Sequence, residues 1–350
     1  MSKIDLNTLS KKTLVDLLKL YSTNTISIAD LWFINVEEKL GLDKAIEIDK
    51  RVWERYGATE ARRLIKALNI TEKGISALVK ALNFQIFFPG MEYEFSEVTE
   101  KKAVFSFIDY TAQGIRIRQN KPKSQCKSVG EALFPSFAKT IDQRLEVRCL
   151  ESPSNIKSDD KGCCWEFQLK GDANEKIDGQ GKIEYLDLSA DTLVELIRLY
   201  SKNVTTIDGI WFISLEEMFD LETAIDLDIK VWRSYGTIEA KRIMTMLNIS
   251  SKGMPALIEA LNYQIWVPGM DYEFAEVKDD RIVFNITDCT PQKARKRDNR
   301  GEFPCKPVGI ALFDTFAEAI DPKLKMKCLI CPPDAHPEDV WCSWEFQKED

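Results

Sequence analysis

The residues best suited to chemistry lie close together near the end of the chain. The order Cys328-x2-Cys331-x4-His336-x5-Cys342 places three thiols and the chain's single imidazole within fifteen residues. Zinc favours this mixture of ligands in tetrahedral geometry. If the flanking segments form a β-hairpin, Cys328 and Cys342 lie on neighbouring strands and His336 lies on the connecting loop. The spacing therefore predicts a zinc site with these four ligands, and iron or an iron–sulfur cluster is the open alternative.

Two other interpretations of these cysteines stay open. Cysteines on strands often pack as small core residues, which would leave His336 on an exposed loop. Alternatively, a thiol reacts without a metal, and Cys305 or Cys289 is then the candidate catalytic nucleophile.

A related pattern lies 179 residues upstream, because the chain is a tandem repeat. Leu31-Trp32-Phe33-Ile34 aligns with Ile210-Trp211-Phe212-Ile213, and most of each copy aligns in the same way. Each copy has the size of a whole domain. We therefore predict a first domain over residues 1–170, a glycine-rich linker over 171–183 and a second domain over 184–350, packed as a pseudo-dimer.

The two copies differ at the candidate site. The cysteines present in both are Cys126, Cys149 and Cys163 in the first copy and Cys305, Cys328 and Cys342 in the second. The residues particular to the second copy are Cys289, Cys331 and His336, which face Tyr110, Ser152 and Lys157. The first copy cannot build a four-ligand site in the same way. The second copy is therefore the candidate functional one, with the first as a degenerate partner.

A basic segment supplies a second candidate site. Gln292 and Arg295 lie on a predicted loop, and Gln113 and Arg116 are their counterparts in the first copy. The forked donors of arginine suit a carboxylate or a phosphate, so these residues are predicted to bind a small anionic molecule. A solvated surface loop is the alternative interpretation.

Acidic side chains on apolar helix faces form a third feature. Asp49 and Asp228 share their faces with alanine, valine and tryptophan. Buried carboxylates need partners, and the sequence predicts ion-pair networks such as Glu60 with Arg63. A di-metal carboxylate site is disfavoured, because the chain has one histidine and therefore cannot provide a pair of Glu-x-x-His motifs.

The hydrophobic periodicity predicts an α+β fold. Leu14, Leu17, Leu18 and Tyr21 follow helical spacing, and similar stripes predict about five helices at the start of each copy. The predicted helices include one that ends at Gly41, one over 43–56 and one over 59–68. Strands are predicted over 84–98, 103–110, 144–150 and 163–169, with a helix over 128–141 between the two pairs. Each copy is thus a helical half followed by a ββαββ half with an antiparallel sheet.

The composition indicates the class of protein and its cellular compartment. The chain has 350 residues, a net charge of −8 and 44% hydrophobic residues, which is typical of a globular protein. Its acidity argues against nucleic acid as the main partner, and its apolar runs are too short for a membrane span. The start of the chain lacks the apolar core of a signal peptide. We therefore expect a cytoplasmic protein whose nine cysteines are mostly thiols or metal ligands.

Each copy also resembles a prokaryotic family that is catalogued as a domain of unknown function. The matching segments include Ile210-Trp211-Phe212, Val231-Trp232, Phe303-Pro304-Cys305-Lys306, Cys331-Pro332-Pro333-Asp334 and Cys342-Ser343-Trp344-Glu345-Phe346. More distantly, the chain resembles the L-2-amino-thiazoline-4-carboxylic acid hydrolase family, which has helices followed by a cysteine-bearing sheet. That resemblance implies hydrolysis of a small cyclic amino-acid derivative.

Three functional hypotheses follow. The first is a hydrolase-like enzyme that acts on a small anionic substrate with a metal or a reactive thiol in the second repeat. The second is a protein that binds a ligand or a metal without turnover, such as a sensor. The third is a structural interaction module. A Ser-His-Asp triad is disfavoured by the single histidine and by the lack of a GxSxG motif.

Overall fold

The computed structural model describes residues 3–108, 126–152, 162–172 and 181–349. Within these ranges both repeats consist of helices followed by a four-stranded antiparallel sheet. This confirms the predicted α+β fold with two similar repeats. Gln113 and Arg116, the greater part of the predicted linker and the side chain of Cys126 lie outside the described residues.

Helices make up the first half of the first repeat. They are α1 (Lys11–Leu40), α2 (Leu42–Ala67) and α3 (Gly74–Leu82), with α4 (Cys126–Ile141) between the two pairs of strands. The stripe that includes Leu14 and Tyr21 and the helix predicted to end at Gly41 were expected as two helices, but they form one continuous helix. The polar residues at that point are buried and the helix continues through them, with Thr23 Oγ1 donating to the carbonyl of Lys19 at 3.0 Å.

The predicted break near Gly57 was also wrong, and the reason is helix packing. Helix α2 is continuous and packs against α4. A Cβ atom on Gly57 would lie 2.5 Å from the carbonyl oxygen of Leu133 in α4. The glycine therefore permits close contact between two helices instead of ending one of them. Gly236 has the same position in the second repeat, where an added Cβ atom would lie 2.6 Å from the carbonyl oxygen of Leu312.

The sheet of the first repeat has the strand order β1-β2-β4-β3. Its strands are β1 (Tyr93–Val98), β2 (Lys102–Phe107), β3 (Leu145–Glu151) and β4 (Cys164–Leu169). The strand predicted to begin at Phe84 begins at Tyr93 instead. The intervening chain forms turns and a short 3₁₀ helix, Phe88–Gly90, where Pro89 cannot donate to a strand ladder.

The second repeat has the same order of elements. Its helices are α5 (Ala190–Met218), α6 (Leu221–Leu247), α7 (Met254–Leu261), α8 (Thr290–Arg297) and α9 (Lys306–Ile320). Its strands are β5 (Asp271–Val277), β6 (Arg281–Asp288), β7 (Leu324–Ile330) and β8 (Cys342–Lys348), in the order β5-β6-β8-β7. The predicted basic loop is in fact helix α8. Pro291 lies in its first turn, where proline is favoured, and its alanine, lysine and arginine residues favour helix.

Aromatic side chains fill the space between each sheet and its helices. In the first repeat Phe134 of α4 lies 5.0 Å from Trp165 of β4, measured between ring centroids. In the second, Phe313 of α9 lies 4.9 Å from Trp344 of β8. Both tryptophans are fully buried. The two sheets therefore pack against their helices through equivalent aromatic pairs.

The chain divides into two compact units whose limits are offset from the repeats. Unit 1 consists of Met1–Asn24 and Ile197–Asp350, and unit 2 consists of Thr25–Leu196. Within unit 1, the Tyr21 hydroxyl donates to the carbonyl oxygens of Tyr263 and Gln264 at 3.2 and 3.1 Å. Arg242 donates to Asn24 Oδ1 at 2.8 Å. The first turns of α1 are thus part of the unit that holds the second sheet.

Across the described ranges, no helix combines the length and apolar character that a membrane span requires.

Candidate functional site

Four cysteines of the second repeat meet at one end of its sheet. Cys328 lies on β7 and pairs in register with Trp344, while Cys342 is the first residue of β8. Cys331 follows the end of β7, where a bulge between Cys328 and Ile330 shifts the register. Cys305 immediately precedes α9. Two strand ends, a turn and a helix start therefore bring together thiols that are up to 37 residues apart in sequence.

Cys331 is the centre of this cluster. Its Sγ lies 3.6 Å from the Sγ of Cys305, and the thiols of Cys328 and Cys342 are close enough to raise its pKa. Cys331 is buried, whereas the other three thiols are partly exposed. We refer to Cys305, Cys328, Cys331 and Cys342 as the thiol cluster.

Backbone hydrogen bonds fix the turn that carries Cys331 against the start of α9. The amide of Asp334 donates to the carbonyl of Cys331 at 2.9 Å, and the amide of Lys306 donates to the carbonyl of Pro332 at 3.0 Å. Lys306 and Asp334 also form an ion pair at 2.7 Å. The nearby carboxylate and thiols raise the pKa of Lys306. A cation is thus held beside the thiol cluster.

The thiols differ in how readily they lose a proton. The hydrogen bond from Cys331 lowers the pKa of Cys305, and the Gln292 side chain adds to this effect. The same kind of bond lowers the pKa of Cys328. The hydrogen bonds with its three neighbours raise the pKa of Cys331. The arrangement is thus a protonated central thiol that supports negative charge on neighbouring sulfur atoms.

Gln292 holds the segment that leads to Cys305. Its Nε2 donates to the carbonyl of Phe303 at 2.7 Å and to Cys305 Sγ at 3.3 Å. Its Oε1 accepts from the amide of Phe303 at 2.8 Å. Cys289, at the start of α8, lies within electrostatic range of Cys342 and Cys305, and burial raises the pKa of its thiol. Of the two predicted nucleophiles, Cys305 therefore has the environment that favours a thiolate.

The buried Arg295 forms an ion pair with Glu216, which is partly exposed. Its two terminal nitrogens each donate to a carboxylate oxygen of Glu216 at 3.0 Å. The guanidinium also lies over the rings of Phe212 and Phe303 and donates to the carbonyl of Arg300. Gln292 and Arg295 thus anchor the segments beside the thiol cluster. Anion binding by these two residues stays a prediction.

His336 has partners other than the thiols. Its Nδ1 lies 2.9 Å from the carbonyl oxygen of Pro337 and its Nε2 lies 3.5 Å from Glu302. Its ring lies 5.0 Å from that of Trp341. The structure therefore brings Cys328, Cys331 and Cys342 together with Cys305, while His336 joins a separate group with Glu302 and Trp341. Cys305 aligns with Cys126 of the first repeat. This match was the sequence feature that could have indicated a place for Cys305 in the cluster.

A buried carboxyl lies near the cluster, and the spacing of the residues in the chain does not reveal this proximity. Asp228 of α6 is fully buried, and its Oδ1 has no hydrogen-bond partner among the described residues. Burial raises the pKa of Asp228 well above its usual range, and the nearby Asp208 and Cys305 add to the effect. In the first repeat, Asp49 accepts a hydrogen bond from Trp53 Nε1 at 2.6 Å, and the equivalent Trp232 lowers the pKa of Asp228 by less than burial raises it.

The buried glutamates on the same helices, Glu60 and Glu239, accept hydrogen bonds from neutral donors. Glu239 accepts from the amide of Ile265 at 2.7 Å, from the Tyr235 hydroxyl and from Gln264. Burial raises the pKa of Glu239 to about 7 and that of Glu60 to about 7. The positive charge of Arg242 lowers the pKa of Glu239, and its contribution is the smallest. These groups form hydrogen-bond networks that support the fold.

The first repeat has different sulfur chemistry at the same place. Ser152 is buried where the second repeat has Cys331, and Cys149 Sγ donates to the carbonyl of Glu151 at 3.2 Å. Cys163, the counterpart of Cys342, is disulfide-bonded. The described free cysteines are Cys149, Cys164, Cys289, Cys305, Cys328, Cys331 and Cys342. A cluster centred on a buried thiol is therefore seen in the second repeat.

The thiol cluster is not a preformed metal cage. In the part of the chain that the structure describes, no group of three or more His, Cys, Asp or Glu side chains has an arrangement that could hold a metal ion as it stands. The contacts of the cluster radiate from Cys331, whereas the four sulfurs around a tetrahedral ion are mutually equidistant.

Comparison with known proteins places the chain in one family. No curated protein and no solved structure matches it. A family model matches twice, over residues 7–169 and 185–348, and these two matches correspond to the two repeats. The chain therefore belongs to the family described as "Family of unknown function (DUF6125)", as a tandem duplication of its domain.

Proposed function

We propose that the second repeat binds a thiophilic metal ion, zinc in the first instance, through Cys305, Cys328, Cys331 and Cys342. The observation that carries this proposal is the 3.6 Å contact between the sulfurs of Cys305 and the buried Cys331, beside the thiols of Cys328 and Cys342. Thiolates are the ligands that zinc and iron–sulfur clusters favour. Cys305 takes the place that the sequence assigned to His336.

One separation within the cluster matches the spacing of sulfurs around a tetrahedral ion. A zinc–sulfur bond of about 2.3 Å sets neighbouring sulfurs about 3.8 Å apart. The Cys305–Cys331 separation is 3.6 Å, close to that value. Metal binding replaces the thiol protons that now link the sulfurs through Cys331, and it draws the other three sulfurs towards one centre.

A site of four thiolates favours binding without turnover. Catalytic zinc keeps one position open for water, whereas four cysteines close the coordination sphere. The metal would then brace the turn after β7 against the start of α9, or report the state of the thiols. The hypothesis of a metal-binding or sensor protein is therefore the one we carry forward.

A hydrolase-like function is the second candidate, and Cys305 is the residue that favours it. Its lowered pKa suits a nucleophile, and the buried carboxyl of Asp228 is close enough to influence it. The substrate would be a small anionic amino-acid derivative. Hydrolysis of 2-amino-thiazoline-4-carboxylate by the metal-free chain, lost in Cys305→Ala and retained in Cys164→Ala, would support this candidate.

Elemental analysis tests the metal proposal. The full chain, purified with no added metal, should contain about one equivalent of zinc or iron, as a closed thiolate site does. Cys331→Ser and Cys305→Ser should lose the metal, while His336→Ala should keep it. Cys164→Ser is the matched control, because Cys164 is a free, partly exposed cysteine of the first repeat. A wild-type chain with less than about half an equivalent would contradict the proposal.

A further inference from the structure

We infer that Cys305 and Cys331 are a site of reversible oxidation, at which a hydroperoxide converts the two thiols into an intramolecular disulfide. The inference deepens the proposed function, because both cysteines belong to the thiol cluster. The disulfide itself needs no metal, so the two proposals can fail separately.

The contact between the two sulfurs is the first support. The Sγ atoms lie 3.6 Å apart, and a disulfide requires about 2.05 Å. Both residues lie outside the regular strands, Cys305 before α9 and Cys331 in the turn after β7. Neither residue belongs to a strand ladder, in contrast to Cys328 and Cys342, which pair within the sheet.

Exposure assigns different roles to the two thiols. Cys305 is partly exposed, so a small peroxide can reach it, whereas Cys331 is 1% exposed. The Gln292 amide donates to Cys305 Sγ at 3.3 Å, a bond that holds the sulfur in place. Cys305 is thus the thiol that reacts with the oxidant, and Cys331 is the resolving thiol.

The chemistry balances with hydrogen peroxide as the oxidant. The thiolate of Cys305 attacks a peroxide oxygen, the O–O bond breaks, and a sulfenic acid and hydroxide form. The sulfur of Cys331 then displaces water from the sulfenic acid and forms the S–S bond. In total, two thiols and one hydrogen peroxide give one disulfide and two waters. A dithiol reductant reverses the change.

Oxidation would abolish the metal site, because a disulfide removes two of its four thiolates. The first repeat cannot undergo this change in the same way, since Ser152 takes the place of Cys331. The second repeat would then release its metal when peroxide is present and recover it after reduction.

Peptide mapping tests the disulfide. The full chain is stripped of metal, exposed to one equivalent of hydrogen peroxide, alkylated and digested, and the linked peptides are identified by mass spectrometry. A Cys305–Cys331 peptide that disappears after treatment with dithiothreitol is the expected result. The existing disulfide of Cys163 is identified before oxidation and scored separately. An unlinked Cys305, or a link between Cys331 and another cysteine, overturns the inference.

Two variants sharpen the assignment. Cys331→Ser should trap the sulfenic acid on Cys305, which dimedone labels, while Cys328→Ser should still form the Cys305–Cys331 disulfide. If Cys331→Ser does not fold, the wild-type peptide map still shows whether the Cys305–Cys331 disulfide forms. Zinc release from the loaded wild-type chain, followed with a colorimetric chelator, separates the proposals. A disulfide in a chain that never binds zinc contradicts the proposed function alone, and zinc binding with no disulfide contradicts this inference alone.

Discussion

The two repeats share their sheets and aromatic cores, yet their sulfur atoms have different environments at the same end of the sheet. In the second repeat a buried thiol at Cys331 contacts three others, whereas Ser152 holds that place in the first. Cys163 of the first repeat is disulfide-bonded and its counterpart Cys342 is free. One added sulfur at the centre is the change that links the remaining thiols into a cluster.

The two repeats also differ in the surroundings of the buried aspartate on their second long helix. Asp49 of the first repeat is paired with Trp53, while Asp228 of the second also faces Asp208 and Cys305. The residue aligned with Asp208 is Ala29. The second repeat thus adds a thiol beside Cys305 and a carboxyl beside Asp228, while its framework stays that of the first.

The largest effect should come from metal. We expect a thousandfold excess of zinc over its dissociation constant to raise the free energy of unfolding of the wild-type chain by about 4 kcal/mol relative to chelator. Cys331→Ser, which restores the residue of the first repeat, should gain nothing from zinc. Thermal unfolding with zinc and with chelator measures both. An equal gain in the variant would remove the proposed distinction between the repeats.

The second largest effect should come from the two glycines at the close helix contacts that both repeats share. In Gly57→Ala and Gly236→Ala the added Cβ meets a backbone carbonyl within 2.6 Å, so α2 and α6 must move away from α4 and α9. Each variant should lose about 3 kcal/mol of stability in chemical denaturation. Gly209→Ala is the control, because no atom lies within 4 Å of the added carbon. A loss in one repeat alone would mean that the frameworks differ.

A smaller effect should depend on pH. The unfolded chain ionises glutamate near pH 4.5, whereas the pKa values of Glu60 and Glu239 are about 7 in the fold. The folded state therefore binds more protons, and stability falls as the pH rises from about 4.5 to 7. Glu239→Gln and Glu60→Gln should each gain about 2 kcal/mol at pH 8 and little at pH 4.5.

Gln264 is suited to accept the new amide, because its Oε1 has no hydrogen-bond partner among the described residues. Denaturation curves at several pH values follow the effect, and Glu195→Gln on the exposed side of α5 is the control. A variant whose stability keeps the wild-type dependence on pH would show that the two glutamates ionise normally.

The smallest effect should come from giving the first repeat its missing thiol. Ser152→Cys exchanges one buried side chain for another of similar size, so the stability should change by less than about 1 kcal/mol. The metal content should stay at its wild-type value, because the disulfide of Cys163 removes that sulfur as a ligand. A second equivalent of zinc in this variant would show that one sulfur is sufficient to build the site.

The order of the helices and strands was predictable, because the spacing of hydrophobic residues along the chain distinguishes a helix from a strand. Helix ends were less predictable. Gly57 has the sequence properties of a helix terminus, but its missing Cβ serves the contact with Leu133. Sequence spacing grouped His336 with Cys331, whereas the turn after β7 directs it towards Glu302 and Trp341. Cys305 reaches the cluster through the packing of α9, which local spacing does not encode.

The offset between the compact units and the repeats has a consequence for folding during synthesis. Tyr21 and Tyr263, which meet within unit 1, are 242 residues apart in the chain. Unit 2 is complete once residue 196 has been made, but unit 1 must wait for its last strand and then close a very long loop. Such distant contacts slow folding. The unit that carries the thiol cluster is therefore the last to form, and its thiols stay accessible in the nascent chain for longest.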